Sequence, residues 1–235
     1  MARLLSTMKL DARVQVRYRF YHVSIGLALL LGLAARQFVD PLLLPTMLPM
    51  VFLLGVGSTA MMYIAGLIIF ERDQHTLDAM FVSPLRLTEY LNSKIATLTL
   101  LVLVEGTVVV LAAQGALGLN WLLLLTGAAL LGIMLTLFGT ILVVRFASIT
   151  DFLISVTAVI LPLELPAFYF TGLSDSPLWL LIPTSAPTML IWGAWHPLAA
   201  WQLVYGLAYS ALLVGVSYRW AYGAFTRYIV RRERS

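Results

Sequence analysis

From Trp121 to Val144 the chain runs without a single charged residue. A helix needs about 20 apolar residues to cross the ~30 Å hydrocarbon core of a bilayer, and an apolar stretch of that length has few other fates. Five more such runs occur, at 20–36, 49–70, 90–113, 152–170 and 198–222. Lipid offers no partner for backbone N–H and C=O groups, so each run is expected to be a helix that satisfies its own. The predicted fold is therefore an all-α polytopic membrane protein with six transmembrane helices, a single transmembrane domain over 1–235. Composition agrees: 61% of residues are hydrophobic and 11% charged, against about 25% charged in soluble domains. No intervening segment is large enough for a catalytic domain. With no cysteine, disulfides, thiol nucleophiles and Cys-ligated metals are excluded.

The basic residues orient the bundle. Arg3, Lys9, Arg13, Arg17 and Arg19 precede the first run. Arg72, Arg86 and Lys94 lie between or just inside the second and third, and Arg145 follows the fourth. Arg219, Arg227, Arg231, Arg232 and Arg234 close the chain. Only Arg36 falls on the opposite side, so fourteen of fifteen basic residues place both termini in the cytoplasm by the positive-inside rule. The excess of positive charge thus sits at the ends of apolar runs, which argues against nucleic acid as its partner.

Two segments are shorter than a span. Residues 1–19 read as an amphipathic interfacial helix. Leu4, Leu5, Met8, Ala12 and Val16 form one stripe, and Lys9, Arg13 and Arg17 the next, a pattern expected to lie apolar face down in the headgroup plane. Residues 171–197 stay apolar but are cut by Pro177, Pro183, Pro187 and Pro197 and carry Trp179, Trp192 and Trp195. Pieces near Leu178–Ile182 and Thr188–Trp195 are predicted to be re-entrant half-helices at the outer interface. Residues 223–235 form a basic tail.

Phe70 to Lys94 is the one long polar interruption between spans. Leu77, Met80 and Phe81 fall on one helical face. Glu71 and Asp73 suit a first helical turn if the second span breaks near Phe70. Pro84 ends the helix, since the residue before a proline avoids helical conformation. Thr88 is then the expected N-cap of the third span, with Glu89 in its first turn. The stretch 71–88 is either a solvated loop or a short helix whose apolar face needs a lipid surface or a protein groove.

The order Glu71, Thr76-Leu77, Met80, Ser83-Pro84, Tyr90-Leu91, Lys94 resembles the signature of ABC-2 type transporter permeases. That signature usually reads Glu, Thr-Leu, Leu, Thr-Pro and aromatic-Leu-x-x-Lys; Met80, Ser83 and His75 are mild departures. Within the family the chain is most similar to permeases of drug and fluoroquinolone export. The resemblance implies a coupling helix between spans two and three that docks on a separate P-loop ABC ATPase through Glu71, Arg72, Asp73, Thr76, Leu77, Met80, Phe81, Ser83 and Pro84. It implies a second permease chain, either identical or similar, and ATP and Mg on the partner, with no cofactor or catalytic residue on this chain. The chain itself contains no G-x-x-x-x-G-K-[ST] loop to cradle phosphates. The implied function is export of a hydrophobic or amphipathic small molecule across a bacterial-type plasma membrane.

Glu105 and Glu164 are carboxylates inside apolar runs, a costly placement that calls for a partner. They are expected either to meet a cationic substrate or a proton, or to be tied to Arg36 or to backbone amides freed by Pro162 and Pro166. Met61, Met62, Tyr63, Phe168 and Tyr169 either line an adaptable apolar path or pack against lipid and protein. Small pairs Ala28/Gly32, Gly55/Thr59, Ala128/Gly132 and Gly206/Ser210 allow close helix contact without saying between which helices. The three histidines share no metal-binding spacing, and none stands at the depth of Ser58 to form a hydrolytic dyad. Rival readings are a stand-alone proton-coupled transporter using Glu105 and Glu164, and a membrane subunit without transport.

Overall fold

The computed structural model describes residues 2–74, 85–146 and 148–230, and every regular element among them is helical. Helix α1 covers Ala2–Arg17 and α2 Phe20–Phe38, joined at an elbow where Arg19 takes the left-handed φ of 62°. Helices α3 (Leu44–Val51) and α4 (Gly57–Asp73) are fused by a widened π turn at Phe52–Val56. Then follow α5 (Leu87–Ala113), α6 (Trp121–Val143) and α7 (Ile149–Glu164), with the short α8 (Ala167–Phe170) after Pro166. A 3-10 turn (Pro177–Leu181) leads into α9 (Ser185–Trp192), and α10 (Ala200–Phe225) ends in a second π turn, Thr226–Val230.

Six helical stretches are long and apolar enough to cross a bilayer: 20–38, 44–73, 87–113, 121–143, 149–170 and 200–229. They are the six runs read from the sequence, with ends that move for identifiable reasons. The second stretch starts at Leu44 rather than Pro49. Pro45 occupies its first turn, where a missing N–H costs nothing, and Pro49 is carried inside with the π turn just beyond it. It also runs on through Glu71 to Asp73, so the expected break at Phe70 is absent and Glu71 lies in a last turn, not a first. The third begins at Leu87; Arg86, not Thr88, is the cap residue, its N–H donating to the Glu89 carboxylate at 2.9 Å. Asn120 caps α6 by accepting from the N–H groups of Leu122 and Leu123. After α5, Gly115 (φ 87°) supplies the left-handed turn that a side chain resists.

The spans form two layers. Between 50% and 61% of the residues in the hydrophobic windows of α3–α4, α5 and α6 are buried, against 17–22% for α2, α7–α8 and α10. The first set is the core; the second faces outward along most of its length. Glycines set the closest contacts. A Cβ on Gly32 would stand 2.6 Å from the Val109 carbonyl oxygen, so the stripe Ser24, Ala28, Gly32, Ala35 is the α2–α5 seam. Gly132 faces Val102 between α6 and α5, and Gly206 faces Leu190 and Ala186 between α10 and α9. Gly55, by contrast, meets only one Leu31 methyl at 3.7 Å, and its small pair with Thr59 draws no helix close.

Helix α9 occupies the proline-punctuated segment. It starts at Ser185, three residues before the expected half-helix, because Pro187 is tolerated in a first turn. Every residue from Ser185 to Ile191 is buried. Gly127 of α6 admits it, with the Pro187 carbonyl oxygen and the Ile191 nitrogen both 2.8 Å from a Cβ placed there.

Helix α1 leaves Leu5 and Val16 of the expected apolar stripe exposed, and meets α5 through polar residues outside that stripe. The face it turns to α5 carries Asp11 and Gln15, which are 4% and 0% exposed, while Leu5, Leu10 and Val16 are exposed. Polar residues point inward here because α5 offers them partners, and most of the apolar surface is left for other surroundings.

Filling an inner seam should be far worse than filling an outer face. At Gly139 a Cβ would lie 2.9 Å from the Met61 carbonyl oxygen and 2.5 Å from Ile64 Cγ2; at Gly215 it would meet nothing within 4 Å. Gly139→Leu is expected to destabilise the purified protein by about 1–3 kcal/mol, read as a lowered melting temperature in detergent, with Gly215→Leu near wild type. Equal shifts would remove α4–α6 from the core.

Candidate functional site

Lys94 is the most buried cation of the chain's described residues, with a side chain 1% exposed on a largely apolar helix. An ammonium in such surroundings needs paired charge and further hydrogen bonds. It obtains both from two other helices. Its Nζ lies 2.6 Å from Asp11 Oδ1 on α1, and it also donates to Glu71 Oε1 at the end of α4. The other oxygens are used as well. The Tyr90 hydroxyl donates to Glu71 Oε2 at 2.6 Å, and the Ser93 hydroxyl donates to Asp11 Oδ2. One turn on, Gln15 Nε2 donates to Thr97 Oγ1 at 2.8 Å. The Tyr90 ring meets Phe225 of α10 at 5.4 Å between centroids. One buried network thus binds α1, α4 and α5 and touches α10.

The network closes the base of the polar segment between α4 and α5. Glu71 precedes that segment; Tyr90, Leu91 and Lys94 follow it, and Leu91 is itself buried. Neighbouring contacts hold the same place. Arg72 donates to the Phe146 carbonyl oxygen at 2.5 Å, Gln74 donates to the Tyr18 hydroxyl at 2.6 Å, and Tyr18 stacks on Phe70. Asp73 is exposed. Glu71, expected at a partner's surface, is thus already bonded inside the chain. Thr76, Leu77, Met80, Phe81, Ser83 and Pro84 lie outside the described residues.

A second polar cluster sits higher in the bundle. Ser58 and Thr59 are adjacent on α4 and hold one carboxylate each. Ser58 donates to Glu164 Oε1 at 3.2 Å, and Thr59 donates to Glu105 Oε2 at 2.9 Å. Tyr63, one turn from Thr59, accepts from Ser24 of α2 at 2.9 Å. Glu105 is fully buried and its Oε1 has no hydrogen-bond partner; Glu164 is half-buried. These hydroxyls, rather than Arg36 or freed amides, are the partners that the two acids find.

The remaining path candidates do not converge. Met61 is buried against Gly139, Phe168 is exposed beside Trp179, and Tyr169 packs edge-on against Phe170. An apolar groove of about 530 Å³ opens between α2 and α3, lined by Leu31, Phe38, Met47 and Leu54 among others. None of Met61, Met62, Tyr63, Glu105, Glu164, Phe168 and Tyr169 lines it.

Sequence reasoning missed Asp11, Ser93, Gln15 and Thr97 as partners of the network, and Ser58 and Thr59 as partners of the acids. One signal was available: Asp11 is the only acid among the basic residues of α1, and Gln15 lies one turn from it. The network should behave as a unit. Lys94→Met would bury two unpaired carboxylates and is expected to cost about 3–5 kcal/mol, read as lost yield or a lowered melting temperature. The triple variant D11N/E71Q/K94M should recover most of that loss, because neutral partners replace the stranded charges.

Comparison with known proteins places this architecture. The family model for the fluoroquinolones export permease protein family matches residues 2–233. Two fluoroquinolones export permease proteins of Mycobacterium tuberculosis, from strains CDC 1551 / Oshkosh and ATCC 25618 / H37Rv, are each 32% identical to it over 236 aligned residues, covering 99% of both chains. The match spans α1, the Lys94 network and all six spans, and the chain belongs to the fluoroquinolones export permease protein family.

Proposed function

We propose that this chain is the membrane-spanning permease subunit of an ATP-driven exporter of the ABC-2 type. It would carry a hydrophobic or amphipathic small molecule, of the fluoroquinolone class named for its relatives, out of the cytoplasm. The observation that carries the reading is the Lys94 network. Glu71 and Lys94, the first and last members of the coupling signature, are bonded to each other, and Tyr90 is bonded to Glu71. The segment between them therefore stands on a rigid base shared by two spans and α1. A push delivered there moves α4 and α5 together instead of being absorbed.

In this reading a separate P-loop ATPase, holding ATP and Mg, engages residues 75–84 together with the exposed Asp73. Both termini lie in the cytoplasm, with α1 along the headgroup plane and its exposed Leu5, Leu10 and Val16 toward lipid. A second permease chain completes the path, covering part of the outward layer of α2, α7–α8 and α10. On the opposite side α9 and the 3-10 turn form the re-entrant gate. Glu105 and Glu164 present carboxylate oxygens to the cationic group of a zwitterionic or amine-bearing drug.

A second reading has one observation in its favour. The unpartnered Glu105 oxygen is also a place for a transported proton, which would make the chain a stand-alone proton-coupled transporter. Vesicle assays separate the two. With the ATPase co-expressed, Leu77→Asp is expected to abolish its co-purification while leaving the permease melting temperature unchanged. Glu105→Gln should lower drug export at least tenfold with the complex intact, the loss of one buried charged hydrogen bond being worth about 1.5–3 kcal/mol. Export that persists in ATP-depleted vesicles under a proton gradient would overturn the motor-driven reading.

A further inference from the structure

A second groove lies on the outward layer and has no part in the sites described above. Phe138, Ile141 and Leu142 of α6, Val159 and Leu163 of α7 and Trp220 of α10 enclose about 200 Å³. Its walls end in charge. One turn beyond Ile141 and Leu142 comes Arg145; seven residues beyond Trp220, in the π turn that ends α10, comes Arg227. Both guanidinium groups stand 5.7 Å from the centre of one ring, Tyr228. All three side chains are exposed. Among the described residues neither arginine reaches a carboxylate.

We propose that this groove and its paired arginines bind one anionic phospholipid from the leaflet on the basic side of the bundle. Two guanidinium groups gathered about one aromatic ring leave positive charge that no carboxylate among the described residues balances, and an anion at this end of the groove supplies the balance. Guanidinium groups match phosphate oxygens in geometry as well as charge. A soluble phosphate would gain nothing from the apolar walls, whereas an acyl chain fills them and keeps its headgroup at the arginines. Trp220, more than half exposed, is the amphipathic side chain expected where tail meets headgroup. Basic pockets between spans on the cytoplasmic side are a recurrent way of holding anionic lipid. The site requires only that the bundle lie in a bilayer, and it stands or falls apart from export.

The test uses the full chain, purified in mild detergent and titrated with phosphatidylglycerol, phosphatidylcholine or inorganic phosphate. Retention is read by native mass spectrometry and stability by thermal shift. Phosphatidylglycerol is expected to bind and raise the melting temperature, with the other two inert. R145Q/R227Q should weaken its binding roughly thirtyfold, given ~1 kcal/mol for each basic residue at an anionic surface. R145K/R227K should stay within a few-fold of wild type. Trp220→Ala should weaken phosphatidylglycerol retention, with phosphatidylcholine and inorganic phosphate still inert. The proposal is overturned if R145Q/R227Q binds phosphatidylglycerol as wild type does, or if inorganic phosphate alone reproduces the shift. It is equally overturned if Trp220→Ala leaves lipid binding intact and instead converts a dimer to monomers, which would assign the groove to a second copy.

Discussion

A single ammonium group decides how the basic end of this bundle is assembled. Lys94 sits on a core helix whose own acids, Glu89 and Glu105, are bonded elsewhere, to the Arg86 N–H and to Thr59. Two carboxylates from elsewhere in the chain must come to it, Asp11 from one side and Glu71 from the other. Removing charges from water is expensive, and such a group is retained only where the geometry and extra hydrogen bonds offset that cost. Ser93 and Tyr90 supply those bonds on α5. Because both acids are spoken for, α1 cannot leave α5 without stranding a charge. Nor can α4 turn about its axis without doing the same.

Away from that network, shape does the work that charge does there. Lipid tails are as apolar as leucine, so helices in a bilayer gain little from apolar contact alone and associate where backbones approach closely. The glycines of this chain mark those places: Gly32 against Val109, Gly127 against α9, Gly139 against Met61. Gly26, Gly215 and Gly223, in α2 and α10, would accept a Cβ with nothing near it. Close approach runs through the α4–α5–α6 core and α9, and reaches the outward layer only along single stripes, at Gly32 of α2 and Gly206 of α10. An outward layer of that kind leaves long apolar faces, such as Leu30, Ile154 and Leu212, for lipid or another chain.

The six spans were legible because a bilayer leaves a long apolar run no alternative, and hydropathy alone records that constraint. Their ends were less so. Charged residues after Phe70 mark a helix end in the local pattern, yet Glu71 and Arg72 extend α4 because their charges are satisfied by Lys94 and by the Phe146 carbonyl. Partners distant in sequence leave no mark on local pattern. The same limit hid the inward face of α1. A search for apolar stripes finds Leu5 and Val16, but the residues that bind the bundle are Asp11 and Gln15, whose value depends on Ser93, Lys94 and Thr97 more than 80 positions away. Glu105 and Glu164 were legible as acids in need of partners. That adjacent hydroxyls on α4 would serve both required knowing that α5 and α7 flank it.

That last arrangement bears on how a movement at one end of α4 reaches the middle of the membrane. Thr59 stands twelve residues from Glu71, about 18 Å along a helix rising ~1.5 Å per residue. Between them α4 is regular and holds no proline, so this stretch transmits rotation or translation as a rod. Above it the π turn at Phe52–Val56 interrupts the regular ladder, and such turns are where helices bend. The rod is therefore gripped below, at Glu71, and released above, just past Ser58 and Thr59. Any displacement of Glu71 that keeps its bond to Lys94 carries both hydroxyls with it. Their two acids belong to different helices, α5 and α7, of which only α5 shares the grip at Lys94. A shift along α4 would therefore reach Glu105 through both Lys94 and Thr59, and Glu164 through Ser58 alone.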